Sequence, residues 1–281
     1  MPTFETPEAI TADIQIYVGQ VRVHASERAD TVVEVRPSNP SAEAGVQAAE
    51  QTVVEFSGGR LLVRGPRPRA LGYLRPWRGS VEVNVELPAG SRIEAEGYAD
   101  LIATGRLGQT VLRGSNGEIR VEETGALEVK TSVGDVSVER VTGPLEAVSS
   151  TGTIRIGVLD GSGTVKASTG SISVGEVTGA LELKTGTGDI TVDRVYADVS
   201  AKSAHGRIRI GSAVSGTVRL QNGHGKVGVG IAEGTAAWLD LHSKNGVVRN
   251  ALTTAENPDG AESIVELYAN TDYGDIEVHR S

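Results

Sequence analysis

Residues 185–192 read Thr-Gly-Thr-Gly188-Asp189-Ile190-Thr191-Val192. A glycine opens a short run in which Ile190 and Val192 alternate with Asp189 and Thr191, the period of a strand with one apolar and one polar face. Outward from this stretch the same phrase returns. On the N-terminal side it reads Gly170-Ser-Ile172-Ser-Val174, Gly152-Thr-Ile154-Arg-Ile156, Gly134-Asp-Val136-Ser-Val138 and Gly117-Glu-Ile119-Arg-Val121. On the C-terminal side it reads Gly206-Arg-Ile208-Arg-Ile210 and Gly225-Lys-Val227-Gly-Val229. Subtracting the glycine numbers gives steps of 17, 18, 18, 18, 18 and 19. A strand repeat this short cannot build a propeller blade; it predicts a stack of coils, an all-β single-chain solenoid.

A second strand lies halfway between the glycines, as in Gly143-Pro-Leu145-Glu-Ala147, Gly179-Ala-Leu181-Glu-Leu183 and Gly216-Thr-Val218-Arg-Leu220. Each coil is therefore expected to be two strands of roughly five residues joined by two tight turns. Stacking aligns Ile119, Val136, Ile154, Ile172, Ile190, Ile208 and Val227 into one interior column. Val121, Val138, Ile156, Val174, Val192, Ile210 and Val229 form its neighbour. All are β-branched, as suits strands packed on near-identical neighbours. The opposite wall reads Leu127, Leu145, Gly163, Leu181, Val199; Thr131, Ser149, Ala167, Thr185 and Ser203 form a column of small residues that lets the chain bend at the corner. The repeat glycines follow small polar residues, where a positive φ or close backbone approach is expected.

Composition agrees. Of 281 residues, 36 are Gly and only two each are Phe and Trp, too little aromatic bulk for an ordinary enzyme core but enough for a thin solenoid. A formal charge of −9 argues against a nucleic-acid partner. The absence of cysteine excludes disulfides and thiolate metal sites. The opening MPTFETPEAI carries Glu5 and Glu8 and no apolar stretch, so no secretory signal is expected there. No apolar run approaches the roughly eighteen residues of a membrane span. A cytoplasmic location is the resulting expectation.

Upstream, Asp100-Leu-Ile102-Ala-Thr104 and Gly108-Gln-Thr110-Val-Leu112 fit the register less cleanly, placing the start of the solenoid near Ser91. Residues 13–36, 52–64 and 80–87 alternate as strands, and Ser41–Gln51, rich in Ala and Glu after Pro40, predicts a short helix. The expected organisation is an N-terminal β subdomain or cap over residues 1–90 and a repeat domain over 91–281. A cap is needed because a bare end coil exposes unpaired backbone and apolar edges. Near the C-terminus the glycine step stretches to 21 (Gly225 to Gly246) and 28 (Gly246 to Gly274), and Glu256–Glu262 reads as an inserted loop. The last strand, Gly274-Asp-Ile276-Glu-Val278, repeats the phrase at the terminus.

With Val85-Glu-Leu87-Pro88-Ala89-Gly90-Ser91 leading into repeats such as Thr185–Val192, the chain resembles a bacterial β-strand-repeat family of "putative adhesins", a domain of unknown function, over roughly residues 10–281. The resemblance implies a β-solenoid with no established reaction and no agreed catalytic residues. Many relatives look exported or membrane-tethered.

Candidate constellations follow from the columns. His205 and His224 each precede a repeat glycine one coil apart and are expected to stack about 5 Å from each other. Two imidazoles at that spacing could share Zn²⁺ or Cu²⁺, but the next residue in the column is read as Asn245, a poor ligand. Gly-Asp at 134–135, 188–189 and 274–275 lacks the nine-residue period of calcium-binding repeats. Asp135 and Asp189 are read as three coils apart, roughly 14 Å, too far for a glycosidase pair. On the outer face, Glu128, Glu146, Thr164, Glu182 and Ser200 stand beside Lys130, Val148, Lys166, Lys184 and Lys202, with the glutamates offsetting the lysines diagonally. The segment Arg64–Arg78 is the strongest docking candidate. Arg67, Arg69, Tyr73, Arg75, Trp77 and Arg78 gather charge and aromatic bulk in an apparent loop, suited to a protein partner or an anionic surface.

No catalytic, cofactor-binding or metal site is assigned. The expected function is a non-enzymatic scaffold or binding protein, adhesin-like by resemblance. Its alternatives are end-to-end self-assembly into a homo-oligomer or filament, and a carbohydrate-active enzyme.

Overall fold

The structure, a computed structural model, describes residues 1–67, 79–253 and 263–281. Among these there are 27 strands and one helix, arranged as a β-solenoid with an N-terminal β cap. The chain divides into two compact units, Met1–Val138 and Glu139–Ser281.

In the second unit every coil contributes one strand to each of two parallel sheets. One sheet runs Ile154–Leu159, Ile172–Val177, Ile190–Val195, Ile208–Ala213, Val227–Ile231, Ile276–Arg280, Val248–Asn250. The other runs Leu145–Thr151, Gly163–Thr169, Leu181–Thr187, Val199–His205, Gly216–His224, Ser263–Tyr273, Thr235–Asn245. Ile154, Ile172, Ile190 and Ile208 pair in direct register and none is more than 1% exposed. The typical strands are six and seven residues long, not five. The extra length adds a third interior column, Leu159, Val177, Val195 and Ala213, all fully buried.

The glycine rule holds in its strict form. Gly170 has φ +145° and a Cβ built on it would stand 1.9 Å from the Gly152 carbonyl oxygen; at Gly188 the figures are +144° and 2.2 Å from Gly170. No other residue can pass this corner. The small-residue column beside it does more than permit a bend. The Thr185 hydroxyl donates to the Gly170 carbonyl at 3.0 Å and the Asn222 amide to Gly206 at 2.8 Å. Ser243 donates to Gly274 at 2.8 Å. Each of these three side chains thereby satisfies a glycine carbonyl of a neighbouring coil, as buried backbone requires, whereas Ala167 in the same column has no donor to offer.

The C-terminus departs from the sequence expectation. Ser263–Tyr273 and Ile276–Arg280 do not close the stack; they lie between the coil of Gly216–His224 and Val227–Ile231 and that of Thr235–Asn245 and Val248–Asn250. The chain leaves one slot empty, builds the end coil, and returns to fill the slot with its last residues. The irregular glycine steps follow: Gly274 stacks on Gly225 and Gly246 on Gly274, with would-be Cβ contacts of 2.1 and 2.0 Å to those carbonyl oxygens.

The first unit does the same with its first coil. Thr11–Ile16 lies between Arg60–Arg64 and Arg92–Gly97, and Gly19–Ser26 between Val81–Pro88 and Asp100–Leu107, all parallel. Beyond them the pairing turns antiparallel, in Asp30–Pro37 against Val81–Pro88, Thr3–Glu5 against Asp30–Pro37, and Val53–Ser57 against Arg60–Arg64. With the helix Glu43–Glu50, which buries Gly45 and Ala48, these strands form the β cap. Among the described residues no helix is long and apolar enough to cross a membrane.

Candidate functional site

The outer face of the second sheet of the second unit gathers the chemistry. Alternation sends Leu181, Val199, Val218 and Leu267 inward, so the residues on either side of them face out. The register aligns these into two rows. One runs Glu182, Ser200, Arg219, Tyr268, Asp240; the other runs Thr217, Glu266, Trp238, with Asp198 at its head. Asp198 precedes its strand and accepts the Thr217 amide through Oδ1 at 2.8 Å.

Trp238 is 53% exposed. Its ring lies 5.1 Å from that of Tyr268, tilted by 54°, within the range of favourable aromatic contact. The Arg219 guanidinium sits 5.0 Å from the Tyr268 ring centre, within cation–π range. The Tyr268 hydroxyl donates to Glu266 Oε2 at 3.3 Å. Tyr268 is thus held by three neighbours, while Trp238 keeps much of its surface free. Beside Arg219 a shallow depression of about 340 Å³ is bordered by Glu182, Asp198, Ser200, Thr217 and Arg219 over Leu181 and Val199. Hydrogen bonding from Lys184, then that lysine's charge, holds the Glu182 carboxyl below the usual carboxylate range, so it is an acceptor at neutral pH.

Sequence reasoning missed the aromatic cluster. Thr235–Asn245 lies outside the glycine period, and Trp238 meets Tyr268 only because the last coil is inserted beside it. The available signal was alternation: Leu239 and Leu241 face in, which turns Trp238 outward.

The histidine column needs one correction. His205 and His224 do stack, with ring centres 4.9 Å apart and planes within 6°, but the next member is Tyr273, 4.8 Å from His224 and within 8°. Asn245 follows only after Tyr273, because of the inserted coil. The column is an exposed ladder of stacked rings, and among the described residues no three His, Cys, Asp or Glu side chains are grouped to hold a metal.

The aspartates after the repeat glycines serve the turns. Asp189 Oδ1 accepts the Arg207 amide at 2.7 Å and Asp275 Oδ1 the Val247 amide at 2.9 Å. The Glu/Lys face compensates along strands as well as across them: Lys184 pairs with Glu182 and Lys130 with Glu128 two residues away, while Arg113 reaches Glu128 from the next strand. Of the arginine–aromatic loop, Arg67 is described; it is exposed and its Nε donates to the Tyr17 hydroxyl at 3.1 Å. Arg69, Tyr73, Arg75, Trp77 and Arg78 lie outside the described residues.

Parallel coils, glycine corners and chemistry confined to flat outer faces define a β-strand-repeat protein of the solenoid class. The profile of the family described as Toastrack DUF4097 matches residues 11–281, and the chain belongs to that family. No protein of curated function matches it. Among solved structures it is similar to a "putative adhesin" from Bacteroides fragilis, at 15% identity over 99% of this chain and 95% of that one, with a TM-score of 0.37. It is also similar to a "putative lipid binding protein" from Parabacteroides distasonis, at 11% identity over 99% and 95%, with a TM-score of 0.34. A "putative cell adhesion protein" from Clostridium sporogenes shows 10% identity over 100% and 98%, with a TM-score of 0.22.

Proposed function

We propose that this chain is a non-enzymatic binding protein that engages its partner through the outer face centred on Arg219, Tyr268 and Trp238. The observation that carries the proposal is the half-exposed Trp238, packed on Tyr268 at one end of an outer face whose other strands border a polar depression. Trp, Tyr and Arg are the residue types that dominate binding hot spots. In a chain with two Trp, placing one on the solvent side of a strand has no packing rationale in the core. The turn aspartates support the non-enzymatic half, since Asp189 and Asp275 are committed to backbone amides.

Self-assembly through the open end coil is the second reading. Among the described residues Thr235–Asn245 and Val248–Asn250 end their sheets, and Val247 and Val248 are 51% and 40% exposed. Against it, the edge strand carries Asp240 and Lys244 on its outer side, the kind of charge that guards edges from further pairing.

The test is retention from native-host extracts, soluble and envelope, on the immobilised full chain and on an Arg219→Ser/Trp238→Ala/Tyr268→Ala variant. Material held by the wild type and released by the folded variant is the expected result. Equal retention by both removes this face from the function.

A further inference from the structure

Resting on that reading, we infer that the face takes a neutral saccharide, a chain of pyranose rings lying across the strands with one ring stacked on Trp238 and further rings reaching the polar depression that begins two strands away. A pyranose has two distinct surfaces: a patch of C–H groups that packs on an aromatic face, and a rim of hydroxyls that each donate and accept. A complementary site needs an exposed ring beside polar groups of both kinds, held rigidly enough to be worth the lost freedom of a flexible chain.

The two rows supply that combination. Trp238 gives the stacking surface, and its tilt is fixed by Tyr268 at 5.1 Å. Glu266, Glu182 and Asp198 accept hydrogen bonds, Arg219 donates, and Ser200 and Thr217 do both. Hydrogen bonds between hydroxyls and ionised groups are the stronger class. The groups stand on consecutive strands, Leu181–Thr187, Val199–His205, Gly216–His224, Ser263–Tyr273 and Thr235–Asn245, so at about 4.8 Å per strand the strip is roughly 19 Å long. That length and the shallow depression suit several linked rings better than a single sugar in a pit.

Charge narrows the class. Glu266 and Asp240 stand in register with Trp238 and Tyr268, while Asp198 and Glu182 lie toward the far end of the strip; Arg219 already lies over Tyr268, and Lys184 is paired with Glu182. Around the two rings the carboxylates of Glu266 and Asp240 outnumber the one cation, Arg219, so phosphates, uronates and anionic lipid headgroups would be repelled there. An apolar peptide would desolvate the same carboxylates while offering them no hydrogen bond.

The experiment exploits the tryptophan count. Trp77→Phe leaves Trp238 as the only indole in the full chain, so its fluorescence reports this face. The variant is titrated with neutral oligosaccharides of three or more rings (gluco-, manno-, galacto- and N-acetylglucosamine series), with polygalacturonate, and with phosphatidylglycerol vesicles. At least one neutral series should shift the emission saturably. In calorimetry on the otherwise native chain, Trp238→Ala and Arg219→Ala should each weaken that binding at least tenfold, and Trp238→Phe less. The melting temperature of the Trp238 and Arg219 variants should stay near the wild-type value, because both side chains are exposed. The saccharide assignment is overturned if no neutral series binds, if only polygalacturonate or the vesicles bind, or if a neutral saccharide binds Trp238→Ala as well as the wild type. Should the triple variant still lose material from host extracts while no neutral series binds, the face stands and the ligand class falls. If neither effect is seen, both fall.

Discussion

Ile172→Asp and Ser173→Asp place the same carboxylate on adjacent residues of one strand, and the fold assigns them opposite fates. Ile172 is 1% exposed and lies in register between Ile154 and Ile190 on the neighbouring coils. Removing its side chain forfeits roughly 1.5–3 kcal/mol of burial. The carboxyl that replaces it enters columns of buried aliphatic side chains and must be buried neutral or open the stack, adding at least about 2 kcal/mol. The sum, about 3.5–5 kcal/mol, approaches the whole stability of a marginal domain. Ser173 faces out between Arg155 and Thr191 in the same register. An aspartate there sits beside a cation and should change stability by no more than about 0.5 kcal/mol.

Urea unfolding followed by circular dichroism measures the difference, and native-state hydrogen exchange locates it. Because each coil is stabilised mainly by its neighbours, Ile172→Asp should strip protection from Ile154–Leu159 and Ile190–Val195 as well as from its own strand. Equal urea midpoints for the two variants would mean that the inward and outward assignments are wrong. A wild-type midpoint for Ile172→Asp alone would mean that the column is not dry.

Gly170→Ala should cost more than about 2 kcal/mol, since its Cβ would collide with the Gly152 carbonyl at positive φ. Gly228→Ala, with nothing within 4 Å of the added carbon, should leave the melting temperature nearly unchanged, and comparable losses at both sites would refute the corner argument. Acid should loosen the end coil. The Val247 amide and then Arg249 hold the Asp275 carboxyl below its usual range, and Lys226 does so for Glu277. Depressed carboxylates contribute stability that is complete above their unfolded values near about 4 and is lost as pH falls through the folded ones. Exchange protection of Val248–Asn250 should therefore be flat from neutral pH to about 5 and fall below about 4. An unchanged acid response in Asp275→Asn/Glu277→Gln would sink the assignment.

The solenoid was legible because its causes are local and repeated. Alternation fixes which face of a strand is buried, and the glycine corner fixes where each strand begins. The helix Glu43–Glu50 was equally readable, from composition after Pro40. The order of the last two coils was not. Every coil carries the same phrase, so Ile276 and Val278 would fit against almost any neighbour; periodicity says which residues face inward, never which coil they meet. That degeneracy hid Tyr273 from the histidine column and Tyr268 from Trp238. The corner column is small, as read, and at some coils it is also a donor. Thr185 and Asn222 are there to bond a carbonyl, a requirement visible only once Gly170 and Gly206 are known to turn theirs toward the corner.

Where the repeat is most regular, its outer face is least able to discriminate. Lys184 stacked on Lys202 presents the same group at each step, and a ladder of identical side chains offers a ligand no register. The row from Ser200 through Arg219 and Tyr268 to Asp240 changes chemistry at every strand, so a ligand laid across it can bind in one position only. The inserted coil makes this precise placement possible. Ser263–Tyr273 is hydrogen-bonded on both sides, which fixes Tyr268, whereas Trp238 rides on the edge strand and depends on Tyr268 for its orientation. Losing Tyr268 should therefore loosen Trp238, but losing Trp238 should leave Tyr268 and Arg219 in place. In binding measurements Tyr268→Ala should cost nearly as much as Tyr268→Ala/Trp238→Ala, an asymmetry that two independent contacts would not produce.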